Sequence, residues 1–369
     1  MPSSISNFKR TIPALPWTRF LLVASLVTLI AATAWEIRCR AWGYRPSFND
    51  TPDLWAMRRR AVQPDSLVIV GDSRPWFDLD LDEIEHGLGR RPVQLAIAGS
   101  CAYPVLDELS NDQTFHGTVI CSIVPIMFFA PGGPLIQNSM DAFNRRRTQT
   151  VSQRASNELG MLLEEHIAFL KQDDLTLGQL LGRLPIPNRP GALLAPPLPP
   201  YFAVVDRERR ARMFDPCARP GPLQDRVKYG WPALFTPPPP PTYVPLAAFL
   251  SGVGQAVEAR FRDTAAAVQR IRARGGQVVF VRFPVSGELK KLEDAATPRA
   301  GPWTRLLKDT GAPGIYFEDY PELARFVCPE WSHLSAPDSV EFTRRLVPHL
   351  RQALGSGGAP APAATSPAI

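Results

Sequence analysis

Ser73, His333 and Glu330 are the residues whose types and spacing suit them to chemistry. A serine hydroxyl is a weak nucleophile and needs a base to take its proton. Histidine ordinarily titrates near neutral pH, so His333 fits that task. An imidazole base in turn needs a carboxylate to fix its tautomer and stabilise its protonated form. Glu330 stands three residues before His333 in CPEWSHLS and can reach the near ring nitrogen. Backbone N–H groups at Ser73 and Gly99 can receive a developing oxyanion, because glycine lets the backbone approach closely. Together these residues describe acyl transfer through a serine ester. Asp319, in YFEDYP, is a second candidate for the acid, and Asp72 reads as a turn-stabilising residue. His86, His116, His166 and His349 lie in helix-like or loop stretches and read as surface or core residues.

Positioning these groups requires a particular framework. Ser73 ends the run LVIVGDS, a short β-branched strand stopped by glycine. Alone, Gly71-Asp72-Ser73 also reads as an ordinary turn with a helix-capping serine. Gly99 follows a second expected strand at 94–98, and further strands are expected at 118–125, 277–283 and 314–317. Helices are expected at 54–60, 80–87, 103–110, 152–171, 246–274, 302–310 and 337–354. Ser332 and Ser335 are placed to cap the last of these. Strand–helix alternation at this spacing predicts an α/β fold with a three-layer, doubly wound parallel sheet. Such a sheet binds ligands along the carboxyl ends of its strands, where Ser73, Gly99 and the His333 loop all fall.

Composition limits the classes available. The chain has 369 residues, 45% of them apolar, with a net charge of +6 and no dense basic run interleaved with aromatics. Nucleic-acid binding is therefore not inferred, and a basic surface near a membrane is the simpler account. The five cysteines show no metal spacing, so neither a metal nor another cofactor is expected. They read as buried small hydrophobes, with a Cys217–Cys328 pair as the alternative outside the cytoplasm.

Residues 1–16 read as a cytoplasmic tail. Residues 17–36 carry WTRFLLVASLVTLIAATAW, long enough to cross a bilayer and flanked by tryptophans. A signal anchor is expected, with a cleaved signal peptide ending near Ala32-Thr33-Ala34 as the alternative. Residues 37–64 form a connector. The catalytic fold divides into 65–130 and 246–354, separated at 131–245 by a helical and proline-rich insertion with polyproline character, read as hugging the surface. Residues 355–369 are expected to be disordered.

Gly71-Asp72-Ser73, Gly99 in AIAGS and Glu330-x-x-His333 before a closing helix resemble the SGNH (GDSL-like) hydrolase superfamily, with its flavodoxin-like sheet. The resemblance covers about residues 65–130 and 246–354 and is closest to membrane-anchored bacterial members. It implies Ser73 as nucleophile, His333 as base, Glu330 as acid and Gly99 as an oxyanion donor. Two departures stand out. The acid is Glu330 rather than Asp, and no Asn follows the third strand, where the chain reads VPIMFFAPGG and Asn111 lies too early. Arg282 and Arg74 are candidates to replace that donor, although Arg282 reads as well as a structural ion pair. The implied activity is that of an extracytoplasmic serine esterase or O-acyltransferase. Its partner would be an acylated, most simply acetylated, glycan or polymer at the inner membrane, with lipid contacted through residues 17–36. The alternative is a non-catalytic scaffold among envelope polysaccharide assembly proteins.

Overall fold

The chain is described by a computed structural model over residues 16–130, 132–171, 175–182, 202–236 and 240–355. Helix α1 (Trp17–Ala41) is long and apolar enough to cross a membrane, and its side chains as far as Ala34 stand outside the protein body. Its last turns do not. Glu36 accepts N–H bonds from Ala168 and Phe169, Cys39 is buried, and Arg40 donates to the His166 carbonyl. Helix α2 (Pro52–Arg60) starts at a Thr51 cap and buries Leu54 and Trp55. Strand β1 (Leu67–Val70) is buried throughout and runs into α3 (Ser73–Asp78) after only two residues. Asp80 then caps α4 (Leu81–Leu88). Strand β2 spans only Val93–Gln94, shorter than the expected 94–98. Leu95 and Ile97 nevertheless continue to donate to Ile69 and Gly71 of the neighbouring chain segment. Helix α5 (Tyr103–Asn111) leads to β3 (Thr118–Ser122), again fully buried.

The segment 131–245 contains α6 (Pro134–Thr148) and α7 (Val151–Glu164), the latter opened by a Thr150/Gln153 capping box. The helix expected over 152–171 thus ends early, and a short 3-10 turn covers Ala168–Leu170. A hairpin of β4 (Ala203–Val205) and β5 (Ala211–Met213) and helix α8 (Pro222–Phe235) follow. The proline-rich run 184–200, the residues 237–239, the tail 1–15 and the tail beyond 355 lie outside the described residues. The surface-hugging course expected of the proline-rich tract falls largely outside the described residues, whereas the described parts of the segment pack inward. Phe202, Ala203, Met213, Cys217, Val227 and Trp231 belong to the same hydrophobic core as the sheet. Apolar side chains at these positions remove surface from water only by packing inward.

The second half comprises α9 (Leu246–Ala273), β6 (Gln277–Arg282), α10 (Gly287–Ala296), α11 (Pro302–Thr310), β7 (Gly314–Tyr316) and α12 (Ala336–Gly355). Phe261, Thr264, Ala267, Val268 and Ile271 recur at helical spacing on the buried face of α9. All five strands of the main sheet are parallel, in the order β2-β1-β3-β6-β7. Right-handed crossovers on this order put α4 and α12 on one face and α5, α9 and α11 on the other. The packing agrees, since α12 meets α3 and α4 while α9 meets α5 and α11. The chain leaves β1 toward β2 and later returns past it to β3. The carboxyl end of β1 is therefore a topological switch point, where a crevice opens. All five cysteines are buried and free, so Cys217 and Cys328 are not paired.

Candidate active site

The exit from β1 is tightly packed. A Cβ at Gly71 would lie 2.5 Å from Pro75 Cγ and 2.6 Å from Ser122 Cβ, so a side chain there would have to displace one of them. Asp72 is buried and caps α3 by accepting the Arg74 N–H at 2.8 Å. Its second oxygen accepts the Ser122 hydroxyl at 3.2 Å, tying the turn to β3. Asp72, not Ser73, is therefore the helix cap. Ser73 is the first helical residue, its hydroxyl is free for other partners, and its own N–H has no carbonyl to bond within the helix.

That hydroxyl lies 2.8 Å from Nε2 of His333, which comes from the loop before α12, 260 residues away in sequence. Nδ1 of the same ring lies 3.0 Å from Glu330 Oε1. A carboxylate only accepts, so Nδ1 carries the proton and Nε2 is left to accept from Ser73. The loop is shaped for this. Glu330 Oε1 also accepts the backbone N–H groups of Ser332 and His333, which folds the side chain back along its own turn. Between them Trp331 adopts φ +84°, a left-handed conformation costing about 1–3 kcal/mol. The surroundings hold it there. Ser286 N–H donates to the Trp331 carbonyl at 2.8 Å, and the Cys328 N–H donates to the Ser286 hydroxyl at 2.9 Å. The Leu334 N–H donates to Asp78 Oδ1 at 2.8 Å. Burial pushes the Asp78 carboxyl well above its usual range, and its Oδ2 has no partner among the described residues.

The segment that sequence reasoning assigned no chemistry contributes directly. Trp231, on α8, donates its indole N–H to Glu330 Oε2 at 2.8 Å and to the Glu330 carbonyl at 2.6 Å. Glu330 has no exposed surface, yet both oxygens of its carboxylate have donors, as a buried carboxylate requires. The Trp231 ring lies 5.6 Å from the His333 ring, with Phe77 at 4.5 Å and Phe202 at 5.7 Å. This aromatic wall leaves His333 1% exposed, whereas Ser73 is only half-buried. The imidazole is shielded from bulk water while the Ser73 hydroxyl stays within reach of a ligand.

Gly99 adopts φ +65° in the turn that follows the Ile97–Gly71 bond, a conformation that favours glycine. A Cβ there would lie 3.7 Å from Nδ2 of Asn138 on α6, and the same amide donates to the Ala98 carbonyl at 3.4 Å. An asparagine amide thus stands over the glycine turn, delivered by a helix rather than by the loop after β3. Only the alternation of polar and apolar residues in 134–148 hints at that helix, and nothing in it singles out Asn138.

The two arginine candidates are placed elsewhere. Arg282 and Arg74 both bond the Glu293 carboxylate of α10, and all three are at most 2% exposed. Burial alone would raise the Glu293 carboxyl, but the two guanidinium groups hold it below the usual range. Burial would likewise lower Arg74, and Glu293 reverses this and keeps it firmly protonated. This closed cluster supports the structural reading of Arg282, whose Nε and Nη1 have no partner among the described residues. Asp319 bonds Arg299 at 2.6 Å, and Glu330 rather than Asp319 occupies His333 Nδ1. His349 bonds Glu322 at 2.8 Å, away from the site. Among the described residues no three His, Cys, Asp or Glu groups stand together as a metal site would require. No protein-family model, curated protein or solved structure matches the chain.

Proposed function

We propose that this chain is a serine acyl-ester hydrolase or O-acyltransferase of SGNH type, working through Ser73, His333 and Glu330. The observation that carries the reading is the hydrogen-bonded series that joins Ser73 Oγ with His333 Nε2 and His333 Nδ1 with Glu330 Oε1. In this mechanism Ser73 Oγ attacks an ester carbonyl as its proton passes to His333 Nε2. Glu330 stabilises the imidazolium so formed. The carbonyl oxygen becomes an oxyanion received by the N–H groups of Ser73 and Gly99 and by the Asn138 amide. Collapse breaks the bond to the leaving alkoxide, which takes the proton from His333. Water or an acceptor hydroxyl then attacks the acyl-serine by the same route in reverse.

The substrate class rests on two supports: the resemblance of the motif residues, and a helix apolar enough to cross a bilayer beside the active domain. An acylated, most simply acetylated, extracytoplasmic glycan at the inner membrane fits both. The test is turnover of p-nitrophenyl acetate by the full chain in detergent, compared with Ser73→Ala. Wild type should turn over with a burst of nitrophenol, and Ser73→Ala should show only the background rate. Equal rates would return the chain to the scaffold reading.

A further inference from the structure

Outside the triad, a cleft of about 600 Å³ opens where the chain leaves α1. One wall is the end of α1 and the next few residues, with Arg40, Tyr44 and Arg45. The other is β5 and the turn after it, with Arg212, Phe214 and Asp215. The walls are fixed against each other. The Tyr44 and Phe214 rings meet edge to face at 5.8 Å, and a Cβ at Gly43 would lie 3.7 Å from Pro216.

Three guanidinium groups line this space against a single carboxylate. Arg40 already bonds Glu36 at 2.6 Å and the His166 carbonyl at 2.9 Å. Arg45 meets Asp215 at 3.6 Å, but these side chains are 73% and 60% exposed, a pair of little strength. The Arg212 side chain is exposed and makes no hydrogen bond or ion pair among the described residues. An anion entering the cleft would be attracted by all three guanidinium groups against one carboxylate.

The position of the cleft selects the anion. The exposed apolar sleeve of α1 runs from Trp17 to Ala34, which at 1.5 Å per residue is about 27 Å, close to the thickness of a hydrocarbon core. Arg40 follows within two turns, so the cleft stands at headgroup level. Its inner wall includes Val204 and Ala336. Val204 lies two residues beyond Phe202, which packs on His333, and Ala336 lies three beyond His333 itself.

We propose that this cleft binds the phosphodiester of an anionic glycerophospholipid headgroup, held between Arg45 and Arg212. The inference rests on the membrane reading of α1 and is independent of the catalytic reading. The experiment uses the full chain in nanodiscs of mixed phosphatidylcholine and phosphatidylglycerol, with bound lipid read by native mass spectrometry. Wild type should retain phosphatidylglycerol above its share of the disc. Arg45→Ala/Arg212→Ala should lose about an order of magnitude of that excess. The control pair Arg344→Ala/Arg345→Ala, which removes equal charge from α12, should keep it. Retention in bulk proportion by wild type would overturn the proposal, as would an unchanged double variant or an equal loss in the control. Displacement of phosphatidylglycerol by inorganic phosphate would assign the cleft to a soluble anion and overturn the lipid assignment. Failure of any arm leaves p-nitrophenyl acetate turnover untouched, so the two readings are separable.

Discussion

Replacing Trp231 by phenylalanine would keep an aromatic ring against His333 and delete one N–H. That N–H is the donor to Glu330 Oε2 and to the Glu330 carbonyl, at 2.8 and 2.6 Å, in a place with no exposed surface. A hydrogen bond to a charged group contributes about 1.5–3 kcal/mol net, and a buried acceptor left without its donor loses that and gains nothing from water. The carboxylate keeps three donors on Oε1 and becomes free to rotate about them. His333 Nδ1 then loses a fixed partner. If the whole loss falls on the transition state, kcat drops by about 10- to 100-fold, with KM unchanged. The ring contacts with Phe202 and Phe235, at 6.4 and 6.3 Å, should survive, so Tm should fall by only the few degrees that the lost bond itself costs. The assay is steady-state turnover of p-nitrophenyl acetate, joined to proton NMR of the His333 Nδ1–H, whose low-field resonance should move upfield or broaden. A kcat within twofold of wild type, or a fall in Tm with no change in kcat or in the resonance, would refute the positioning role.

Two other perturbations bear on the same site. Asn138→Ala should lower kcat by about 10²–10³ with KM little changed, the signature of a lost oxyanion donor; a pure KM effect would place Asn138 in substrate binding instead. Asp78→Asn should change how stability depends on pH. The raised Asp78 carboxyl stays protonated in the folded chain while the unfolded chain ionises from about pH 4. Its contribution is therefore full below that pH and is lost as pH rises toward the folded pKa. The amide keeps an acceptor for Leu334 and cannot titrate, so Tm compared between acid and neutral pH should fall less in the variant than in wild type. Parallel Tm–pH curves would contradict this account.

The strand–turn at 67–73 was legible because its signals are local: four apolar residues, a glycine and a turn-stabilising aspartate within one short stretch, although the cap fell to Asp72 and not to Ser73. The helix at 246–273 was legible from its periodicity alone. Glu330 and His333 were legible because a three-residue spacing suffices for a carboxylate to fold back onto its own loop. Trp231 was not, because its acceptor lies 99 residues later and indole donors carry no sequence motif. Arg282 shows the converse. Its partner Glu293 is only 11 residues on, but in a helix that sequence reading did not recognise. A buried arginine at a strand end looks alike whether it faces a substrate or a carboxylate. Strand β2 was read too long because Leu95 and Ile97 bond to the sheet without regular strand geometry.

The junction after α1 has a mechanical consequence. A tether of 30 flexible residues would let a domain wander over about 30 Å, searching a volume. Here the helix runs without a break into bonds with residues 166–169, so nothing can swing. With α1 in a bilayer, the serine travels only as the lipid does, by lateral diffusion. Encounter rates would then scale with the number of ester groups per unit area of membrane rather than per unit volume. A soluble substrate would be met as if by an immobilised catalyst, whereas one carried on the same surface would be met in two dimensions.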